Sequence, residues 1–337
     1  MSIRGSLVGT AAVIGLTVLN GGTRPARAQQ PTDYSPPAGA PYRAESVTVP
    51  TPMGHTLAGT LTLPEGASKI RPVAAIVTIS GTGPQDRDEY LGLVGYRPFR
   101  QIADSLGRLS IAVLRMDDRG VGQSKGTFKG TTHFEFVEDI RAGLAYLRTR
   151  PEIDAKRLGL LGHSEGALDA ALVAEKEPAI RALVLLAGQA RPLRMRAEYQ
   201  LASLIRLDTT RTPAQREAAL ARVSATLDSI IAADRYMATI IAYDPRATAR
   251  KVKNPAILIL TGSTDGQADA AQVPEWVAAF KESGNRDVTG RILPDLNHLF
   301  VYDLDGAAAN YAKLPQPVSM DPKVVGMIAD WLVNRLR

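Results

Sequence analysis

The chain contains no cysteine, only four histidines and few aromatic residues, 5% of the total. Without cysteine it has no disulfide, no thiolate metal ligand and no lipoprotein attachment site. Its stability must come from burial, which 337 residues at 45% hydrophobic content can supply. The histidines, His55, His133, His163 and His298, are scattered and form no His-x-x-x-His pair, the short spacing of many metal sites. "GTGPQD" (81–86) follows an apolar run but lacks the third glycine of a dinucleotide fingerprint. Neither a metal nor a cofactor is expected. There is no internal repeat. Of the net charge of +6, half comes from Arg4, Arg24 and Arg27 near the N-terminus. The remaining basic residues are spread out and not interleaved with aromatics, which argues against nucleic-acid binding.

The first 28 residues read as a secretory signal peptide. Arg4 gives a positive start, Leu7 to Leu19 is an apolar run, and Ala26-Arg27-Ala28 fits a small-x-small cleavage site. The run is too short and too interrupted by Gly and Thr to span a membrane comfortably. No Arg-Arg pair marks a twin-arginine route. A Sec-type export with cleavage after Ala28, to the periplasm or beyond, is the expectation. Residues 29–43, rich in Pro, Gln and Ala, read as a flexible linker. Residues 44–337 read as one domain.

That domain alternates between two textures. "ESVTVPTPMGHTLAGTLTLP" reads as a hairpin with its turn at Pro52 to His55. Strand signals follow at 73–80, 111–117, 157–162, 180–188, 256–262 and 287–294, with helical signals near 97–109, 134–150, after Glu165, at 273–283 and at the C-terminus. Short apolar runs alternating with helices predict a mostly parallel central sheet covered by helices on both faces, an α/β fold. Residues 191–250 break the rhythm. They are helical in pattern, rich in Arg, and have a helix start at Thr212-Pro213. An insertion of this size, about 190–250, between two strands reads as a helical cap over the sheet's carboxyl edge, with a plain helical excursion and a basic amphipathic face that touches membrane as the alternatives.

The stretch "LLGHSEGAL" (160–168) places Ser164 between Gly162 and Gly166, after a strand signal and before a helical one. A Gly-x-Ser-x-Gly in that context is a nucleophile elbow, in which the glycines let the backbones cross tightly. The plainer alternative is a glycine turn with an N-capping serine. A serine hydroxyl needs a base, and that base needs an acid to orient it. His298, in the loop after the last strand, lies at the edge where a base for Ser164 must stand. His163 neighbours the serine but should be aimed away by the turn. His55 sits in the hairpin turn, and His133 reads as a capping or surface residue. For the acid, "TGSTDGQAD" offers Asp265 and Asp269. Asp265, three residues past Gly262, has the better position; Asp269 reads as the opening of the next helix. For the oxyanion, backbone N–H groups are expected from Glu165 and from the loop 80–89, where Thr82 is the choice.

These stretches together resemble the α/β-hydrolase superfamily, in particular its bacterial esterase-like and serine-aminopeptidase-like members. The residues are "SGTGPQDRDE" (80–89), "DDRGVGQSKG" (117–126), "GHSEGA" (162–167) and "NHLF" (297–300). The resemblance runs from about Val73 to the end. It implies the α/β-hydrolase fold, Ser164 as nucleophile, Asp265 as orienting acid and His298 as base. The loop 118–124 reads as structural, with Arg119 bracing its neighbours. Ala167 stands where a third glycine is commoner, and "TDGQAD" departs from the usual "D-x-Q-V".

The expected activity is hydrolysis of a small-molecule carboxylic ester through an acyl-enzyme. Peptidase, thioesterase and lactonase chemistry could use the same triad. A peptidase acting on free N-termini would need a carboxylate for the amine, for which Glu165 and Glu198 are the candidates. Acyl transfer to another acceptor and a non-catalytic envelope binding protein are the remaining readings.

Overall fold

The computed structural model describes residues 33–337, so the proposed signal peptide lies outside the described residues. Eight strands form a single sheet: β1 (Tyr42–Pro50), β2 (Thr56–Pro64), β3 (Val73–Ile79), β4 (Ile111–Met116), β5 (Ile153–His163), β6 (Ala182–Leu186), β7 (Ala256–Gly262) and β8 (Val288–Leu293). Their spatial order is β1-β2-β4-β3-β5-β6-β7-β8. The predicted hairpin is β1 and β2, paired antiparallel, and β2 joins β4 antiparallel. Every other pairing is parallel.

The inner strands β3, β6 and β7 are almost wholly apolar because both faces of the sheet are covered there, whereas β1 and β8 leave residues exposed. In β6, Leu183 and Leu185 face one core, and Ala182, Val184 and Leu186 face the other. Ile257 and Ile259 of β7 alternate with Leu258 and Leu260 in the same way. Helices α1 (Pro98–Arg108) and α10 (Pro322–Leu336) cover one face. Helices α2 (His133–Thr149), α3 (Glu165–Lys176) and α9 (Val273–Glu282) cover the other. Local signals set the helix starts. A capping box of Thr132 with Glu135 opens α2, and Asp321 caps α10 with Pro322 in its first turn.

Between β6 and β7 the chain forms five helices: α4 (Leu193–Leu207), α5 (Pro213–Leu220), α6 (Val223–Ala233), α7 (Arg235–Ile240) and α8 (Pro245–Ala249). Thr212 and Pro213 start α5, Thr212 in a capping box with Gln215. No helix of the described residues is long and apolar enough to cross a membrane.

Two sequence expectations are corrected. Tyr42 and Arg43 already belong to β1, and residues 33–35 of the expected linker are in contact with the domain, while residues 29–32 lie outside the described residues. Tyr34 lies 4.2 Å from the Arg87 guanidinium, and Arg100 donates to the backbone oxygens of Asp33 and Ser35 at 2.7 and 2.8 Å. Composition reports the Pro content but not such individual contacts. His133 is neither a cap nor a surface residue: Thr132 caps α2, and the His133 ring is fully buried.

Candidate active site

Strand β5 ends at His163 and α3 begins at Glu165, so Ser164 alone makes the turn. Its φ of 56° and ψ of −117° are strained for a residue with a side chain. The flanking glycines are required by contact. A Cβ on Gly162 would stand 2.0 Å from the Gly166 oxygen, and one on Gly166 would stand 2.2 Å from the Ile79 oxygen. Ala167 is tolerated because its methyl packs against Gly188, where a Cβ would meet it at 2.6 Å.

Ser164 makes no side-chain cap hydrogen bond to α3, so the turn is not a serine N-cap. Its Oγ lies 2.9 Å from His298 Nε2. On the other side of that ring, Nδ1 lies 2.8 and 3.0 Å from the two Asp265 oxygens. A carboxylate only accepts, so Nδ1 carries the proton and Nε2 is left to accept from the serine hydroxyl. Asp265 also accepts from the amides of Gln267 and Ala268, both at 2.8 Å. Asp269 instead accepts from the Ala271 amide at the start of a short 3₁₀ turn.

Two features that hold these loops were not singled out in the sequence. A Cβ on Gly262 would stand 2.0 Å from the Leu296 oxygen, so the loop leaving β7 and the loop carrying His298 touch backbone to backbone. Asn297, fully buried, accepts from the Leu299 and Val301 amides and donates to Asp303. In "NHLF" the histidine carries the chemistry, and the asparagine fastens the turn.

The loop 80–89 approaches Ser164 from β3. The Gly81 amide is occupied, donating to Glu89 Oε1 at 2.7 Å. The Thr82 and Glu165 amides have no acceptor among the described residues. Asp118 fastens this loop by accepting from the Gln85 amide and the Ser80 hydroxyl at 2.8 and 3.2 Å, and burial pushes its carboxyl pKa well up. Arg119 donates to Asp139 at 2.6 Å and to the Glu135 carbonyl at 2.8 Å, the bracing expected of it. His55 shares that carboxylate, its Nε2 lying 3.1 Å from Asp139.

His163 does turn away from the serine hydroxyl. Its Nδ1 meets Glu89 at 2.9 Å and its Nε2 meets the His298 carbonyl oxygen at 2.9 Å. Both partners are acceptors, which favours the doubly protonated ring. Burial pushes its pKa down, but the Glu89 carboxylate outweighs that and the net shift is upward.

A pocket beside the elbow is lined by Met116, Phe128 and Phe136 and by Glu165, Asp169 and Tyr236. The Tyr236 hydroxyl, from α7, donates to Glu165. Burial, with the nearby Asp169 charge, raises the Glu165 pKa. The other carboxylate considered for an amine, Glu198, is held within the insertion by Arg194 and Ser224 at 3.0 and 3.2 Å. Among the described residues, one group brings potential metal ligands together: His133, Glu165 and Asp169.

Residues 96–305, more than half of the chain, match the family described as serine aminopeptidase, S33. Esterase EstD of Thermotoga maritima is 29% identical over 284 residues, which are 82% of this chain and 66% of that protein. The chain thus spans just under two thirds of that relative's length. Among solved structures, the Pyrococcus furiosus esterase Pf2001 superposes with a TM-score of 0.59 at 15% identity, over 91% of this chain and 96% of that one. Est1E from Butyrivibrio proteoclasticus, solved with ferulic acid bound, gives a TM-score of 0.56 at 17% identity, over 86% and 98% of the two chains. At these identities the structural likeness shows the fold alone.

Proposed function

Since the chain belongs to the serine aminopeptidase (S33) family of α/β hydrolases, we propose that it hydrolyses small-molecule carboxylic esters through an acyl-enzyme on Ser164. The observation that carries this reading is the Ser164–His298–Asp265 chain of contacts at 2.8 to 3.0 Å. His298 takes the serine proton as Oγ attacks the ester carbonyl. Asp265 holds the ring in the tautomer that leaves Nε2 free and stabilises the imidazolium that forms. The amides of Thr82 and Glu165 receive the oxyanion. The imidazolium then protonates the leaving alcohol, and water releases the acid by the same steps. Esters are preferred over amides in this reading because EstD, the sequence relative, is named an esterase.

A second reading, cleavage of aminoacyl amides, draws on Glu165 and Asp169, two carboxylates lining the pocket beside the elbow. Turnover of short-chain p-nitrophenyl esters measured beside aminoacyl p-nitroanilides separates the two. Ester turnover exceeding amide turnover by at least tenfold is expected, and the reverse order would favour the peptidase. Supported by the leader pattern of residues 1–28, the reading also places the mature protein outside the cytoplasm. N-terminal sequencing of the exported protein is expected to start at Gln29, and a start at Met1 would refute this.

A further inference from the structure

The proposed ester chemistry uses neither His133 nor the side chains of Glu165 and Asp169. Yet the fold brings one ligand atom from each within 4.8 Å of the other two. Glu165 and Asp169 lie four residues apart on α3 and so share a face. His133 arrives from the first turn of α2. Its ring is fully buried, and neither of its nitrogens has a hydrogen-bond partner. Asp169, 5% exposed, has one oxygen in the same condition.

The approach of these two residues is informative. His133 Nδ1 and Asp169 Oδ1 are 2.8 Å apart, but their directions do not make a hydrogen bond. Two ligands of one ion stand in this relation, because each lone pair points at the ion and not at the other ligand. Donors about 2.0–2.1 Å from a cation at the right angles of six-coordinate geometry are about 2.9 Å apart, against about 3.3–3.4 Å in a tetrahedral site. We infer that His133, Glu165 and Asp169 form a binding site for a divalent transition-metal cation in six-coordinate geometry, for which zinc serves as the probe. An imidazole disfavours magnesium and calcium, which prefer oxygen alone. The hydroxyl of Tyr236 donates to Glu165 and orients that carboxylate, as outer partners of metal ligands do. Glu165 and Asp169 also line the pocket beside the elbow, which supplies a path for the ion and room for water as a further ligand.

The site does not depend on the hydrolase reading, and its test reads binding alone. Protein stripped with a chelator is titrated with zinc chloride by calorimetry. One zinc per chain is expected, with affinity lowered at least 100-fold in His133→Ala and Asp169→Asn. His298→Ala should bind as the unmodified protein does, which separates this site from the proposed triad. X-ray absorption of the zinc-loaded unmodified chain should show one imidazole and otherwise oxygen ligands, a readout that needs no variant to fold. Absence of stoichiometric binding would overturn the inference and leave a buried His133–Asp169 ion pair. Unchanged affinity in the folded Asp169→Asn variant, or two imidazoles on the zinc, would overturn it equally.

Discussion

His163 Nε2 stands 2.9 Å from the carbonyl oxygen of His298, while the other nitrogen of the same ring meets Glu89, which also holds the Gly81 amide. One buried imidazole ring thus ties the loop of the proposed base to the loop carrying Thr82, one of the two proposed oxyanion donors. It touches neither the serine hydroxyl nor the pocket, so its role is positioning. Replacing it should displace both loops by fractions of an ångström. His163→Phe is predicted to lower kcat about 10²-fold with little change in KM. Steady-state kinetics checks this; equal loss in both parameters would contradict it.

The same ring makes a prediction about stability. Its folded pKa lies above the unfolded value of about 6.5. The folded state therefore binds the extra proton, and the stabilisation is fully present below about pH 6.5. It is lost as pH rises through the folded pKa. Denaturant midpoints measured from pH 5.5 to 8.5 should fall less steeply with pH in His163→Phe than in the unmodified protein.

Glu165 carries the same sign for a different reason. Burial and then Asp169 raise its carboxyl pKa, so its charged form is disfavoured in the fold. Stability is lost as pH rises from about 4.5 through the folded value. Glu165→Gln keeps an oxygen for the Tyr236 hydroxyl and removes the charge. In the presence of chelator, its Tm should exceed that of the unmodified protein at pH 7.5, and the gap should close at pH 4.5. A lower Tm at pH 7.5 would show that Tyr236 and His133 outweigh the cost of burial.

Close backbone contact makes three glycines sensitive. A Cβ on Gly162, Gly166 or Gly262 would come within 2.0 to 2.2 Å of a carbonyl oxygen. Each alanine variant is predicted to lose at least about 2 kcal/mol of stability, the scale of overpacking in a tight core. Gly326→Ala, where a Cβ would meet nothing within 4 Å, is the control. Urea denaturation of the four variants checks the contrast.

Much of this was legible in the sequence, and the reasons are local. β3, β4, β6 and β7 are short, largely apolar runs between helical segments and could be placed by pattern, whereas β5 shows only its apolar end, 158–162. Ser164 announced itself because Gly-x-Ser-x-Gly is contiguous, and His298 stood out because histidine is scarce. Contacts between segments distant in the chain were not legible. Asp169 and His133 are 36 residues apart and meet only because α2 packs on α3, so no short ligand spacing marks them in the sequence. Glu89 reads as one more charge in a polar loop until β5 brings His163 against it. Gly262 looks like an ordinary strand end, and only the crossing of the Leu296 loop shows why it has no side chain.

The central claim is that Ser164 is an activated nucleophile, and labelling with a fluorophosphonate probe tests it most directly. The unmodified chain, Ser164→Ala and Asp265→Asn are treated side by side. Label is predicted on the unmodified chain, none on Ser164→Ala, and slower labelling by about 10⁴-fold on Asp265→Asn, the scale expected when the orienting acid is lost. A folded, unmodified chain that takes no label, or a Ser164→Ala variant that labels equally, would contradict the account.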